Sequence, residues 1–328
     1  MSRFYRDKRV LVTGGAGFIG SNLAIRLTKL GASVHVVDSL APRFGASLTN
    51  LDPYRDEMQI SLEDVRDQDA LGKIVPGVDL IFSLAGQVSH LDSMQDPHGD
   101  LEINCESQLS LLECCRHGNP QSTIVFASTR QLYGRPQYVP VDEDHPLHPV
   151  DVNGINKLAA EMYYTLYQEV YGMQTVSLRL TNTYGPRMDL KTGRKGFVGV
   201  FLDRALKGQE IELFGDGSQR RDFNYIDDVC DALLLAGETP SLQGGVFNLG
   251  ARETYSLREF AEMLRQFSVF EIRCVPFPPD RKAIDIGDYA GNFDRFAAAS
   301  GWNPQVGLEE GLRRTVEYFR QQPDDRSQ

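Results

Sequence analysis

Through the first half of the chain, short apolar runs alternate with longer stretches of helical periodicity. Arg9–Thr13 (RVLVT) reads as a strand, Phe18–Leu30 as a helix and Ser33–Val37 (SVHVV) as a second strand. Met58–Ser61 and Val78–Ser83 are further strands. Leu101–Arg116 is helical, with Leu101, Cys105, Leu109 and Leu112 recurring on one face. Ser122–Ala127 (STIVFA) is a strand, Asn153–Tyr171 a long helix, and Thr175–Leu180 (TVSLRL) the strand after it. This alternation predicts an α/β fold, a doubly wound parallel sheet with helices on both faces.

After Tyr184 the rhythm changes. Segments shorten, and Gly and Pro punctuate them at Gly185-Pro186, Gly215-Asp216-Gly217 and Pro276 to Pro279. The expected division is a sheet domain over residues 1–183 and a smaller mixed α/β lobe over 184–328, with some later elements able to rejoin the main sheet. Leu308–Gln321 is an amphipathic helix, and the final PDDRSQ is expected to fray.

Composition narrows the class. The chain has 328 residues, 41% hydrophobic and 24% charged, as in an ordinary soluble enzyme. No apolar run reaches the ~20 residues of a membrane helix. Residues 1–8 are polar and lead straight into a strand, so no signal peptide and a cytoplasmic location are expected. The net charge of −11 speaks against nucleic acid as a partner, although local Arg residues can still hold a small anion. The five cysteines show no CxxC or Cys/His spacing, so neither a disulfide framework nor a metal site is expected. Cys114 and Cys115 read as small core residues.

The strongest local chemistry is Thr13–Gly20, T-G-G-A-G-F-I-G, which follows a strand and opens a helix. Gly14 and Gly15 permit a tight turn, Gly17 lets the backbone approach a pyrophosphate, and Gly20 allows helix and strand to pack closely. The helix start carrying Phe18 and Ile19 then offers free N–H groups to the phosphates of a dinucleotide. Asp38 ends the second strand, where a carboxylate accepts from ribose hydroxyls and repels a 2′-phosphate. That favours NAD over NADP, with Arg43 nearby as the opposing signal. Asp64 and Val65 are placed for the adenine; alternatively, Asp64 caps the Asp67–Ile74 stretch.

With these features in hand, the chain resembles the extended short-chain dehydrogenases/reductases that act on nucleotide-sugars, a family with a Rossmann fold. Thr13–Gly20 resembles the family's TGxxGxxG, and Leu84-Ala85-Gly86-Gln87-Val88-Ser89 its LAAQxS segment. Asn104, Ser128–Gly134, Asn182–Arg187, Gln219–Tyr225, Gly301–Pro304 and Leu308–Gly311 match further motifs. The resemblance implies NAD as cofactor, contacts from Leu84, Ala85 and Asn104, and a nucleoside-diphosphate sugar as substrate. It implies Gln87, Asn182, Phe197, Arg221 and Arg281 on the substrate side. It also implies a homodimer built from the helices Leu101–Arg116 and Asn153–Tyr171, with Leu109, Leu112, Met162 and Leu166 available for contact or for the core.

In the family NAD oxidises a sugar carbon, usually C4, while the Tyr of a Tyr-x-x-x-Lys pair takes the hydroxyl proton and the Lys binds the nicotinamide ribose. Here those positions read Asn153-Gly154-Ile155-Asn156-Lys157. Lys157 and the neighbouring hydroxyl, Thr129, are retained; the phenol is not. An amide cannot accept a proton as a phenolate does. Three readings stay open. Another group supplies the base, with His90, Tyr133, Tyr184 and Lys157 as candidates, His90 being equally readable as a solvated loop residue. Alternatively, Asn153 orients water or a hydroxyl for a non-standard reaction. In the third reading the protein binds without turnover.

The Asp-Glu pair of the family's 4,6-dehydratases is replaced by Arg130 and Gln131, which disfavours dehydration and weakens decarboxylation. Gly185–Met188 together with Thr192-Gly193-Arg194 nevertheless resembles the decarboxylase loop. Arg130 reads as a structural or surface Arg, or as the partner of a negative substituent on the sugar. The expected function is an NAD-dependent nucleotide-sugar epimerase working at C4 through a transient ketone, with dehydratase, decarboxylase and non-catalytic alternatives.

Overall fold

A computed structural model describes residues 3–190 and 196–322. Thr192-Gly193-Arg194 and the PDDRSQ tail lie outside the described residues, as does the side chain of Arg43. The strands are β1 (Arg9–Thr13), β2 (Ser33–Val37), β3 (Gln59–Ser61), β4 (Leu80–Ser83), β5 (Thr123–Thr129), β6 (Gln174–Leu180), β7 (Asn182–Tyr184), β8 (Ile211–Phe214), β9 (Arg220–Tyr225), β10 (Val246–Asn248), β11 (Thr254–Ser256) and β12 (Ile272–Val275). The helices are α1 (Phe18–Lys29), α2 (Gln68–Ile74), α3 (His90–Gln95), α4 (Pro97–Leu101), α5 (Ser107–Gly118), α6 (Val152–Tyr171), α7 (Gly196–Leu206), α8 (Ile226–Glu238), α9 (Leu257–Leu264), α10 (Pro279–Ala283), α11 (Asp294–Ser300) and α12 (Leu308–Gln321).

Seven strands form one parallel sheet in the order β10-β6-β5-β4-β1-β2-β3. The apolar strand runs follow from burial on both faces. In β1, Val10 and Val12 face the layer that holds α1 and α8, while Leu11 faces the layer of α2, α5 and α6. Val125 on one face of β5, and Ile124 and Phe126 on the other, repeat the pattern. The switch point lies between β4 and β1, and the cofactor cleft opens beyond the carboxyl ends of these strands.

The chain beyond β6 adds two small sheets, β11-β9-β7 and β12-β8. β10, although late in the chain, pairs with β6 in the main sheet. The C-terminal motifs have a packing role. Trp302 sits against Phe293 and Phe296 and donates through Nε1 to the Asp228 carbonyl at 2.9 Å. Leu308, Leu312 and Val316 bury the apolar face of α12.

Two local readings change. The helix expected over Leu101–Arg116 is broken by a π turn, Glu102–Glu106, before α5 continues to Gly118. The wider turn inserts an extra residue per winding, a feature frequent at functional sites, and here it carries Asn104. β5 runs on to Thr129, which brings Ser128 and Thr129 to the carboxyl end of the sheet. Among the described residues, no helix is long and apolar enough to cross a membrane.

Candidate active site

The β1–α1 turn makes the cofactor cradle. Gly14 has φ +68°, and a Cβ there would lie 2.8 Å from the Ala85 backbone. A Cβ on Gly20 would come within 2.1 Å of the Gly14 carbonyl, so α1 can approach β1 only with glycine at this position. The cleft in front is lined by Gly14, Gly17, Phe18, Ile19 and Gly20 from the turn, and by Asp38, Asp64, Val65, Leu84 and Ala85 from the ends of neighbouring strands. These are ten of the residues the sequence selected for the cofactor. The buried carboxylate of Asp38 also braces the loops, accepting from Ala16 N at 3.0 Å and Leu40 N at 2.9 Å.

Asp64 differs from its alternative reading as a helix cap. Asp67 caps α2, accepting from Ala70 N at 3.0 Å. Asp64 is instead clamped by Arg66, whose side-chain bonds hold its carboxyl below the usual range. Asn104 and Gln87 each keep one buried oxygen without a partner, Asn104 Oδ1 and Gln87 Oε1. These orphaned acceptors beside a glycine cradle, with a carboxylate at the end of β2, fit a bound dinucleotide.

At the centre, Lys157 is buried on α6. Its Nζ donates to the Ala127 carbonyl at 3.1 Å and lies over the Phe126 ring. Burial pulls its pKa down to about 8, with Asp100 acting in the opposite direction. One turn earlier, Asn153 is also buried and faces inward: Nδ2 donates to the Gln87 carbonyl at 2.8 Å and to Asp100 Oδ2 at 3.2 Å. Both amide hydrogens are thereby committed to the scaffold. Asn156 grips the other Asp100 oxygen at 2.8 Å. Thr129, at the end of β5, starts the short turn Arg130–Tyr133 and accepts from Gln131 N at 3.2 Å.

His90 opens α3 and is not a free loop histidine. Its Nδ1 lies 2.9 Å from Asp151 Oδ2, within ion-pair distance for a protonated ring but outside hydrogen-bond geometry. Asp151 is buried and caps α6 through Gly154 N at 2.7 Å, while Gln131 Nε2 donates to it at 2.8 Å. Burial alone would raise this carboxyl; the nearness of His90 and the bonds from Gly154 and Gln131 outweigh it and hold the group below its ordinary value. The other tyrosine candidates are occupied. Tyr133 is buried, bonded to Asn248 and Arg179, and pushed up to about 12 by burial. Tyr184 is buried against Gly311 and Leu308.

The substrate-side residues form a graded set. Asn182 holds Arg130 through Oδ1 at 3.0 Å and donates through Nδ2 to the Asp222 carbonyl at 2.9 Å. Arg221 is buried and bonds Asp285 and the Gly287 carbonyl; burial, then the nearby Arg130 charge, pushes it down to about 10. Phe197 packs its ring among Phe201, Phe223 and Phe260. Arg281 is exposed on α10, stacked over Phe214. The sequence reading missed Asp100, Asp151 and Tyr289. Asp151 had a usable signal, a cap residue directly before a long apolar helix. Asp100 and Tyr289 had none, because only the tertiary fold brings them in.

Residues 10–250 match the model of the NAD dependent epimerase/dehydratase family. The chain is 34% identical to a UDP-glucose 4-epimerase of Mycolicibacterium smegmatis over 316 residues, covering 95% of this chain and 98% of that protein. It is 30% identical to UDP-glucuronic acid decarboxylase 1 of Xenopus tropicalis, covering 96% of this chain and 73% of the relative. The structure of a UDP-glucose 4-epimerase from Thermotoga maritima, determined with UDP-glucose, superimposes with a TM-score of 0.87 at 34% identity, covering 95% and 98% of the two chains. The glycine cradle, the strand-end carboxylate, the buried lysine and this full-length likeness place the chain in the NAD-dependent epimerase/dehydratase family, with asparagine where the family carries its tyrosine.

Proposed function

We propose that the protein is an NAD-dependent nucleotide-sugar epimerase that inverts C4 through a transient 4-keto sugar, with His90 in place of the missing phenol as the proton acceptor. The observation that carries this reading is the pairing of His90 with buried Asp151 at the start of the helix that bears Asn153 and Lys157. NAD, when bound, supplies the hydride acceptor and returns the hydride. Lys157 orients the nicotinamide ribose and keeps a positive charge near it. Thr129 bonds the sugar hydroxyl. His90 takes the hydroxyl proton, and the Asp151 carboxylate beside it stabilises the imidazolium that forms. Asn153 ties α6 to the Gln87 loop and to Asp100.

The absence of an acid at residues 130 and 131 supports epimerisation over dehydration. Gln131 donates its amide to Asp151, and Arg130 has no proton to lend at neutral pH. A homodimer fits the surface of α6, where Ile155, Met162, Leu166 and Val170 stand 53%, 64%, 46% and 60% exposed on one face. Leu112, considered with them, is fully buried in the core instead.

The test is incubation with NAD and a panel of nucleotide-sugars in D2O, read by NMR and mass. A new isomer of unchanged mass without deuterium is the expected result. Loss of water or carbon dioxide selects the dehydratase or decarboxylase. Binding without any conversion overturns the enzyme reading.

A further inference from the structure

Arg130 directly follows Thr129, the hydroxyl placed against the sugar. The residue is half-buried, and one end of its guanidinium is enclosed. Nη2 donates to Asn182 Oδ1, the group lies 5.1 Å from the Tyr289 ring centroid, and Nη1 is buried without a partner. The Tyr289 hydroxyl is also buried without a partner. Among the described residues, no carboxylate lies within ion-pair distance of Arg130.

The acidic groups that face Arg130 at longer range are already engaged. Asp222 accepts from Thr181 Oγ1 and from Gly291 N, Asp285 from Arg221 and Gly287 N, and Asp151 from Gly154 and Gln131. A second guanidinium, Arg221, adds like charge. A guanidinium beside a second guanidinium, with an enclosed N–H lacking a partner and stacked near the ring of a phenol whose own hydroxyl lacks one, is costly unless a ligand completes it.

We propose that Arg130 and Tyr289 form an anion subsite for a carboxylate carried by the sugar, so that the preferred substrate is a nucleotide-activated uronic acid. This rests on the nucleotide-sugar reading above. The place in the fold separates a sugar carboxylate from the diphosphate. Residue 130 adjoins Thr129 at the C4 end of the pyranose, where the C5 substituent lies, whereas the diphosphate leaves from C1 across the ring. Guanidinium and carboxylate pair as a planar fork, and the phenol adds a donor to the same oxygens.

The experiment is calorimetric binding of UDP, UDP-glucose and UDP-glucuronate to the NAD-loaded protein and to Arg130→Met. The wild type is expected to bind UDP-glucuronate more tightly than UDP-glucose. Arg130→Met should weaken UDP-glucuronate about 10- to 100-fold, the range of a hydrogen bond to a charged group, and leave UDP and UDP-glucose within about threefold. Equal weakening of all three would move the anion to the diphosphate and overturn the proposal. So would a wild type indifferent to the carboxylate, a comparison that needs no variant to fold. UDP binding with no gain from the carboxylate fails this inference alone. Failure of every nucleotide to bind fails the nucleotide-sugar reading beneath it. Turnover is not needed for any of these readouts.

Discussion

His90 Nδ1 lies 2.9 Å from Asp151 Oδ2, and Asp151 is also the N-cap of the helix that carries Asn153 and Lys157. One carboxylate therefore both starts the helix that carries Lys157 and sets a negative charge against an imidazole. A group in that double role resists substitution for structural reasons, so its catalytic share needs an isosteric change. Asp151→Asn keeps a side-chain oxygen for Gly154 N, and asparagine caps helices as well as aspartate does. The variant should fold and bind nucleotide-sugar normally while its kcat falls. His90→Gln should lose about 10²- to 10⁴-fold in kcat with little change in binding. Rates of epimerisation measured beside ligand affinity check this, and an unchanged kcat in His90→Gln removes the imidazole from the mechanism.

Asn153 is part of the scaffold by the same accounting. Asn153→Ala deletes one donor to Gln87 O, which keeps Asn104, and the donor to Asp100 Oδ2, leaving Asp100 with Asn156 on its other oxygen. Each buried group left short of a partner costs about 1–3 kcal/mol. Urea unfolding should show a loss on the order of 2 kcal/mol. A variant as stable as the wild type would mean that water replaces the amide at no cost.

Lys157 supplies a pH test. Its pKa is pulled down from 10.5 in the unfolded chain to about 8 in the folded protein, chiefly by burial, with Asp100 opposing. Between these values the unfolded chain holds the extra proton, so this residue makes stability rise with pH. Below pH 8 the full penalty is present, on the order of 3 kcal/mol for a shift of this size. Lys157→Met without cofactor should therefore be more stable than the wild type at pH 7. Its advantage should shrink between pH 8 and pH 10.5. Denaturant titrations of both proteins across that range give the difference, and a constant gap contradicts the assignment. The same variant should lose turnover.

The exposed stripe on α6 yields a prediction about assembly. Met162→Glu together with Leu166→Lys places two charges within the patch bounded by Ile155 and Val170. Light scattering should find the wild type at twice the chain mass and the double variant at the chain mass, because charges are poorly tolerated in a packed apolar contact. A wild type already at the single-chain mass would assign the stripe to something other than self-association.

The sequence by itself determined the parallel sheet, the cradle at Gly14–Gly20, the carboxylate at the end of β2, the retained lysine and the missing tyrosine. These are properties of short windows: apolar periodicity, a turn that tolerates only glycine, and a spacing of four on one helix face. They are dictated by neighbours in the chain, so they can be read without the fold. The tertiary structure decided the rest. It placed β10 in the main sheet, gave Asp64 to Arg66, brought His90 to Asp151, and set Arg130 between Asn182 and Tyr289. Each of these partners belongs to a separate segment or depends on how side chains turn once packed. Burial then sets the chemistry: it lowers Lys157, removes Tyr133 and Tyr184 as bases, and leaves a guanidinium N–H without a partner. Desolvation is a property of what surrounds a group in space, and no residue carries it in its own letter.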